Sequence, residues 1–209
     1  MRKRLRFSKK GNLKFIGHLD FLRVFGEMLQ RSRLPVGYSA GFNPHILLSF
    51  ALPLPLGFES ENDYADLVFT EDLAEEIVLR RINETAPEGL VVKNAYDATD
   101  KCASVVVAAD YAFMLQGASG YRIQEKLSET RLIVPKKTKS GLRNTDVRPD
   151  IYSVTVSGDE VSMRLSAGSA KFLHPIVAAE AVFGTKPSPI GFTRVEMYKQ
   201  ENTSGFAVL

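Results

Sequence analysis

Residues 15–57, FIGHLDFLRVFGEMLQRSRLPVGYSAGFNPHILLSFALPLPLG, decide how the rest of the chain is read. From His18, the residues Phe21, Leu22, Phe25, Met28 and Leu29 follow at spacings of three and four, which predicts one apolar helix face with His18 at its N-terminal end. Asp20, Arg23, Glu27, Gln30 and Arg31 fall on the other face. Gly17 suits the N-cap, Asp20 the positive end of the helix dipole, and Pro35 with Gly37 the exit. The loop Gly37–His45 then gathers the Tyr38 phenol, the Ser39 hydroxyl, the Asn43 amide and the His45 imidazole, with Gly37 and Gly41 supplying backbone freedom. Ile46 to Leu52 is apolar on both faces except at Ser49, the pattern of a central, buried strand.

Working outward, Arg2 to Ser8 alternates Arg4, Arg6 and Ser8 against Leu5 and Phe7, which predicts a half-buried strand with an exposed basic face. Lys9 to Asn12 reads as a turn. Asp63 to Phe69 reads as a strand, and Thr70 as the cap of a second helix with Ala74, Ile77, Val78 and Ile82 along its stripe. Leu90 to Ala95 reads as a further strand. Residues 1–97 thus follow the ferredoxin-like order βαββαβ. A polar joint at 97–103 precedes a second unit, 104–199. That unit comprises a strand over 105–115, a short helix over 121–127, a strand over 132–134 and a hairpin at 151–156 and 161–165. A helix from Pro175 to Phe183, closed by Gly184, and a strand over 190–198 complete it. Residues 200–209 read as a flexible tail. The expected fold class is therefore α+β with two ferredoxin-like halves, reminiscent of the CRISPR-repeat RNA endonucleases at the level of fold analogy alone.

At 209 residues, with 44% hydrophobic and 24% charged residues, the chain has the composition of a globular protein of one large or two smaller domains. No apolar run reaches the length of a membrane span and MRKRLRF lacks the apolar core of a signal peptide, so a cytoplasmic protein with no membrane contact is expected. The net charge of +3 hides an asymmetry. Residues 1–56 carry ten Lys and Arg against two acids, 57–100 carry three against twelve, and 101–209 carry fourteen against ten. The single cysteine, Cys102, excludes an intrachain disulfide.

His18 and His45 are the candidate acid and base, because histidine alone titrates near neutrality unperturbed. Their structural alternative is a helix-start contact for His18 and a loop hydrogen bond for His45. Arg23, Tyr38, Ser39, Gly41 and Asn43 are the candidate ligand-binding residues around them. A metal site would need Asp20 or Asp66 to join two histidines, and neither a metal nor a cofactor is expected. His174, directly before Pro175, reads as structural.

Two basic elements form a candidate nucleic-acid surface: Arg4, Arg6, Lys9 and Lys10 in the first half, and Lys136, Lys137, Lys139, Arg143 and Arg148 in the second. The aromatic run of an RNA-recognition sheet is missing, and so are a Walker loop, Gly-x-Gly-x-x-Gly, His-Glu-x-x-His and Gly-x-Ser-x-Gly.

GHLDFLRVFGEMLQRSRLPVGYSAGFNPH followed by LSFALPLPLGFESE resembles the bacterial radical SAM-linked family, with a weaker echo in KKTKSGLRNTDVRPDI. Gly17 and Ile46 stand where the family pattern carries Ser and Pro. The resemblance implies a partner, a radical-SAM protein encoded beside it or fused to it, and no chemistry. One cysteine cannot hold the cluster of such an enzyme, which needs several thiolates, so this chain is at most its partner. The leading expectation is an RNA-binding accessory protein that works with the radical-SAM protein. The alternatives are a metal-independent ribonuclease using His18 and His45, and a small-molecule or protein-docking module.

Overall fold

The computed structural model describes residues 1–138, 141–188, 190–202 and 205–209, and at 136–138 and 142 it describes the backbone only. In chain order the elements are β1 (Arg2–Lys9), α1 (His18–Ser32), β2 (Leu48–Phe50), β3 (Glu59–Val68), α2 (Glu75–Asn83), β4 (Leu90–Asp97) and α3 (Cys102–Val105). They continue with β5 (Val106–Met114), α4 (Ile123–Ser128), β6 (Ile133–Thr138), β7 (Gly141–Asp146), β8 (Ile151–Ser157), β9 (Glu160–Ser166), α5 (Pro175–Phe183), β10 (Thr193–Gln200) and β11 (Phe206–Val208).

The protein is a mixed α/β structure with a mostly antiparallel sheet. Nine strands join in the order β4-β1-β3-β10-β5-β9-β8, with β2 beside β3 and β11 beside β10; β6 and β7 form a separate hairpin. The two arms meet where β10 runs parallel to β3, with Thr193 opposite Glu59 and Arg194 opposite Ser60. All other pairings are antiparallel.

Two cores flank that seam. On the first arm Phe21, Phe25, Met28 and Leu29 of α1 and Val78 and Ile82 of α2 bury against Leu5, Phe7, Ala65 and Leu67. Phe7 stands at the centre of an aromatic cluster, its ring centroid 5.3 Å from Phe25, 5.8 Å from Phe50 and 6.0 Å from Phe21. On the second arm Ile176, Ala179, Val182 and Phe183 of α5 bury against Tyr111, Phe113, Val161, Met163 and Met197.

The helix starting at His18 with Gly17 as N-cap forms as the spacing predicts, and it closes on Arg33 in the left-handed region (φ 53°). The segment over 46–52 differs from expectation. Only Leu48–Phe50 form a strand, on the edge of β3, extended by single bonds from Val68 N–H to Leu47 O and from Ala51 N–H to Tyr64 O, while Leu47 and Ser49 are exposed. Ile46 and Leu47 pair instead with Tyr38 and Gly37 of the loop, and Pro53 and Pro55 end the extended run on the other side. The second helix starts at Glu75 rather than after Thr70, because the Thr70 backbone N–H and hydroxyl both donate to Pro35 O and tie residue 70 to the α1 exit. The terminal segment is not a free tail: Phe206–Val208 pair with β10, Leu209 is buried, and the Tyr96 hydroxyl donates to Leu209 O at 2.6 Å. The basic segment expected as a loop is the β6–β7 hairpin. Among the described residues no helix is long and apolar enough to cross a membrane.

Candidate functional site

A short ladder lifts the Gly37–Leu47 loop from the edge of β3. Gly37 N–H donates to Val68 O at 2.7 Å, Leu47 N–H to Gly37 O at 2.8 Å and Ser39 N–H to His45 O at 2.9 Å, with Tyr38 bridged to Ile46. A side chain at Gly37 would meet Val68 Cγ1 at 3.2 Å, so the close approach of loop to strand favours glycine there. Beyond Ser39 and His45 the tip is free of the ladder, and Phe42 stands fully exposed on it.

Between α1 and this loop lies a cleft of about 520 Å³ with Leu22, Ile46 and Leu48 as apolar lining and Arg23, Glu27, Gln30, Tyr38 and His45 as polar lining. Exposed apolar side chains surround it: Leu19 is 72% exposed, Tyr38 49% and Leu22 39%. A second cleft of about 390 Å³ lies across β2, lined by Arg2, Ser49, Asp66 and Lys101, and His45 borders both.

Ser39 Oγ lies 2.8 Å from His45 Nδ1 and also accepts the His45 backbone N–H at 3.1 Å. These two contacts fix the imidazole against Ser39 at the base of the loop tip. His18 is not part of this cleft. Its ring packs edge-on at 5.8 Å from Phe50, over the aromatic cluster, so the two histidines belong to different structures. Of the other expected ligand residues, Arg23 and Tyr38 line the cleft and Ser39 orients His45; Gly41 and Asn43 sit on the exposed tip, outside the lining. Arg23 also pairs with Asp20 at 3.3 Å on the helix surface. No group of three or more metal-ligating side chains occurs among the described residues. His174 is the α5 N-cap and accepts the Ile176 N–H, as its position before Pro175 implies. Burial pushes the Cys102 thiol up to about 12, which leaves it an inert core group.

The basic face expected on the first strand is not at the surface. β1 is an inner strand between β3 and β4, its Lys3, Arg4 and Lys9 are buried, and carboxylates of neighbouring segments take Lys3, Arg4 and Arg6. Arg4, 3% exposed, donates from Nε to Asp66 at 2.9 Å and from Nη2 to Asp100 at 2.7 Å. Burial works against its charge, but these hydrogen bonds outweigh it and hold the guanidinium pKa above its usual value; in return the Arg4 bond holds the Asp100 carboxyl below the usual range.

Arg6 pairs with Glu196 at 2.7 Å, and Glu196 also accepts the Tyr64 hydroxyl at 2.6 Å. Lys9 is buried over the Phe21 ring with its ammonium on Ile16 O at 3.0 Å, and burial lowers its pKa. Lys10 pairs with Glu61 at 2.6 Å.

In the second basic element Arg148 is turned inward, donating to Leu127 O at 2.8 Å and Ile151 O at 3.0 Å, whereas Arg143 is exposed. Lys139 and the side chains of Lys136 and Lys137 lie outside the described residues.

Sequence reasoning missed the partners of these cations. Most consequential is Arg194, fully buried, which donates to Asp63 at 2.8 Å and to the carbonyls of Leu52 and Pro53 across the seam between the arms. The available signal was the acid-rich segment 57–100 following the basic one: two antiparallel strands of opposite charge neutralise each other.

The family model described as "Uncharacterized protein conserved in bacteria (DUF2344)" matches residues 2–175. The chain belongs to this family. The matched span contains both clefts and the whole loop, and it stops at the first residue of α5, so β10 and the seam it makes with β3 lie beyond it. No curated protein matches the chain.

Proposed function

We propose that this protein is an accessory docking module whose working surface is the cleft between α1 and the Tyr38–His45 loop. The observation that carries this reading is the cleft with Leu22 and Tyr38 exposed in its lining, on a loop whose tip holds the fully exposed Phe42. Apolar side chains so grouped around a polar-lined cleft suit burial by another protein. The sequence resemblance points to a radical-SAM protein as the partner, and a cytoplasmic pair is the reading that goes with it. Titrating the purified radical-SAM protein with this chain tests the reading. Phe42→Asp is expected to weaken binding at least about tenfold, as loss of an aromatic anchor does, with the melting temperature unchanged.

RNA as the cargo of such a pair is the second reading, supported by the exposed Arg143 on the strand whose backbone pairs with Lys136. The burial of Arg4 and Lys9, and the inward turn of Arg148, reduce the candidate surface to the β6–β7 hairpin. If the hairpin grips phosphates, affinity for RNA falls steeply with salt, and reversing Lys136, Lys137 and Lys139 to glutamate weakens it for all sequences. Catalysis by His18 and His45 as a ribonuclease pair has less support, because His18 packs on Phe50.

The fold reading continues in the same sense. The strand orders β4-β1-β3-β2 and β10-β5-β9-β8 each have the arrangement of a ferredoxin-like unit, which supports two such halves sharing one sheet. The likeness to CRISPR-repeat RNA endonucleases stays an analogy of architecture.

A further inference from the structure

Carboxylates engage most cations of β1 and the turn after it. Lys3 pairs with Asp97, Arg4 with Asp66 and Asp100, Arg6 with Glu196, and Lys10 with Glu61, while Lys9 is buried with its ammonium on Ile16 O. Arg2 is the exception. Only its Nη1 donates, to Thr99 O at 3.3 Å and to Asp100 O at 3.5 Å, and among the described residues no carboxylate lies within ion-pair distance of its guanidinium. The two carbonyls steady one nitrogen and leave the other N–H groups open to a ligand.

Arg2 lines the second cleft, the one of about 390 Å³ across β2, and Lys101 lines it too. Lys101 is exposed, and among the described residues its ammonium also lacks a carboxylate. The one acid in the lining, Asp66, is already engaged: its Oδ1 accepts the Arg4 Nε–H at 2.9 Å and its Oδ2 the Cys102 backbone N–H at 2.7 Å. The cleft therefore carries two uncompensated positive charges beside the apolar side chains of Leu48, Val68 and Ala103, with His45 at its border. A cleft of this volume admits a small molecule, and this lining asks for an anionic group joined to an apolar body.

We propose that this cleft binds a small phosphate monoester, its phosphate held by Arg2 and Lys101 and its organic part against Leu48 and Val68. The charge count favours phosphate over carboxylate. A monoester carries a charge of about −2 near neutral pH, which balances both cations, whereas a carboxylate balances one. The guanidinium adds geometry, since its fork of N–H groups matches two phosphate oxygens and Lys101 supplies a point charge from another segment. The site is separate from the docking surface: neither Arg2 nor Lys101 lines the α1–loop cleft, so loss of phosphate binding and loss of partner binding are distinguishable.

The three histidines provide the readout. His45 borders this cleft, whereas His18 packs on Phe50 and His174 caps α5. Ring NMR signals of the full chain are followed while phenyl phosphate is added at fixed pH and ionic strength. The His45 signals are expected to shift and saturate while those of His18 and His174 stay in place. Lys101→Gln, at an exposed position, and Arg2→Gln should each raise the dissociation constant at least about threefold through loss of a charge-assisted contact. Benzoate, with the same ring and a single charge, should bind at least about threefold more weakly than phenyl phosphate by the same argument. Absence of a saturating shift at His45 overturns the proposal, as does a Lys101→Gln variant that binds as wild type does. Benzoate binding as tightly as phenyl phosphate overturns the assignment to phosphate.

Discussion

β1 and the α1–loop surface carry opposite surprises. β1 is rich in charge, yet Lys3, Arg4 and Lys9 are each at most 5% exposed. The α1–loop surface is rich in apolar residues, yet Leu19 and Phe42 face solvent. The difference is one of position in the sheet. A strand with neighbours on both sides places most of its cations against carboxylates, Lys3 and Arg4 within the first arm and Arg6 across to Glu196 of the second. A helix and loop at the sheet's margin have one face to bury, and what remains outside is free to meet something else. Charge on β1 is therefore buried here, while apolar side chains of α1 and the loop stay exposed.

The largest effect expected from breaking this division is at the seam. Arg194→Met leaves Asp63 buried without its cation and should cost about 3–5 kcal/mol in denaturant unfolding, whereas Arg194→Met with Asp63→Leu should recover most of the loss. Unchanged stability in the single variant would mean the pair does not hold the seam. Next comes His18→Ala, which removes the edge contact to Phe50 and should cost about 1 kcal/mol. His45→Ala and Phe42→Asp, both on the exposed loop, should each stay within about 0.5 kcal/mol of wild type. A loss at His45 as large as that at His18 would make the loop part of the core.

The smallest effect is one of pH. Burial lowers the His174 pKa, with Lys186 adding to the shift, so the unfolded chain binds its proton more readily than the folded one. Stability from this cap is present above the ordinary histidine value of 6.5 and is lost as pH falls below it toward the lowered folded value. Thermal unfolding between neutral and mildly acidic pH should show this slope, and His174→Asn, which keeps a capping acceptor, should flatten it.

What the sequence made legible follows from how far each signal reaches. The start of α1 at His18 and both ends of α5 were readable because caps, prolines and apolar spacing act within a few residues. Arg4 and Asp66, 62 positions apart, meet only through strand register, which no local pattern encodes. The same holds for His18. Its place at the head of the apolar stripe was correct, but Phe50 lies across the loop, and that contact turned the ring toward the core and away from His45. Tyr38, Ser39 and His45 were found together because the ladder joining them is itself short. The strand over 46–52 was overread because apolar composition alone does not separate a central strand from a proline-flanked edge.

The docking surface proposed for the α1–loop cleft is tested most directly by isothermal titration of the proposed radical-SAM partner with wild type, Phe42→Asp and Leu19→Asp. The account predicts a measurable complex that each substitution weakens at least about tenfold with no fall in melting temperature. A complex of unchanged affinity in both variants, or no complex with wild type, would contradict it.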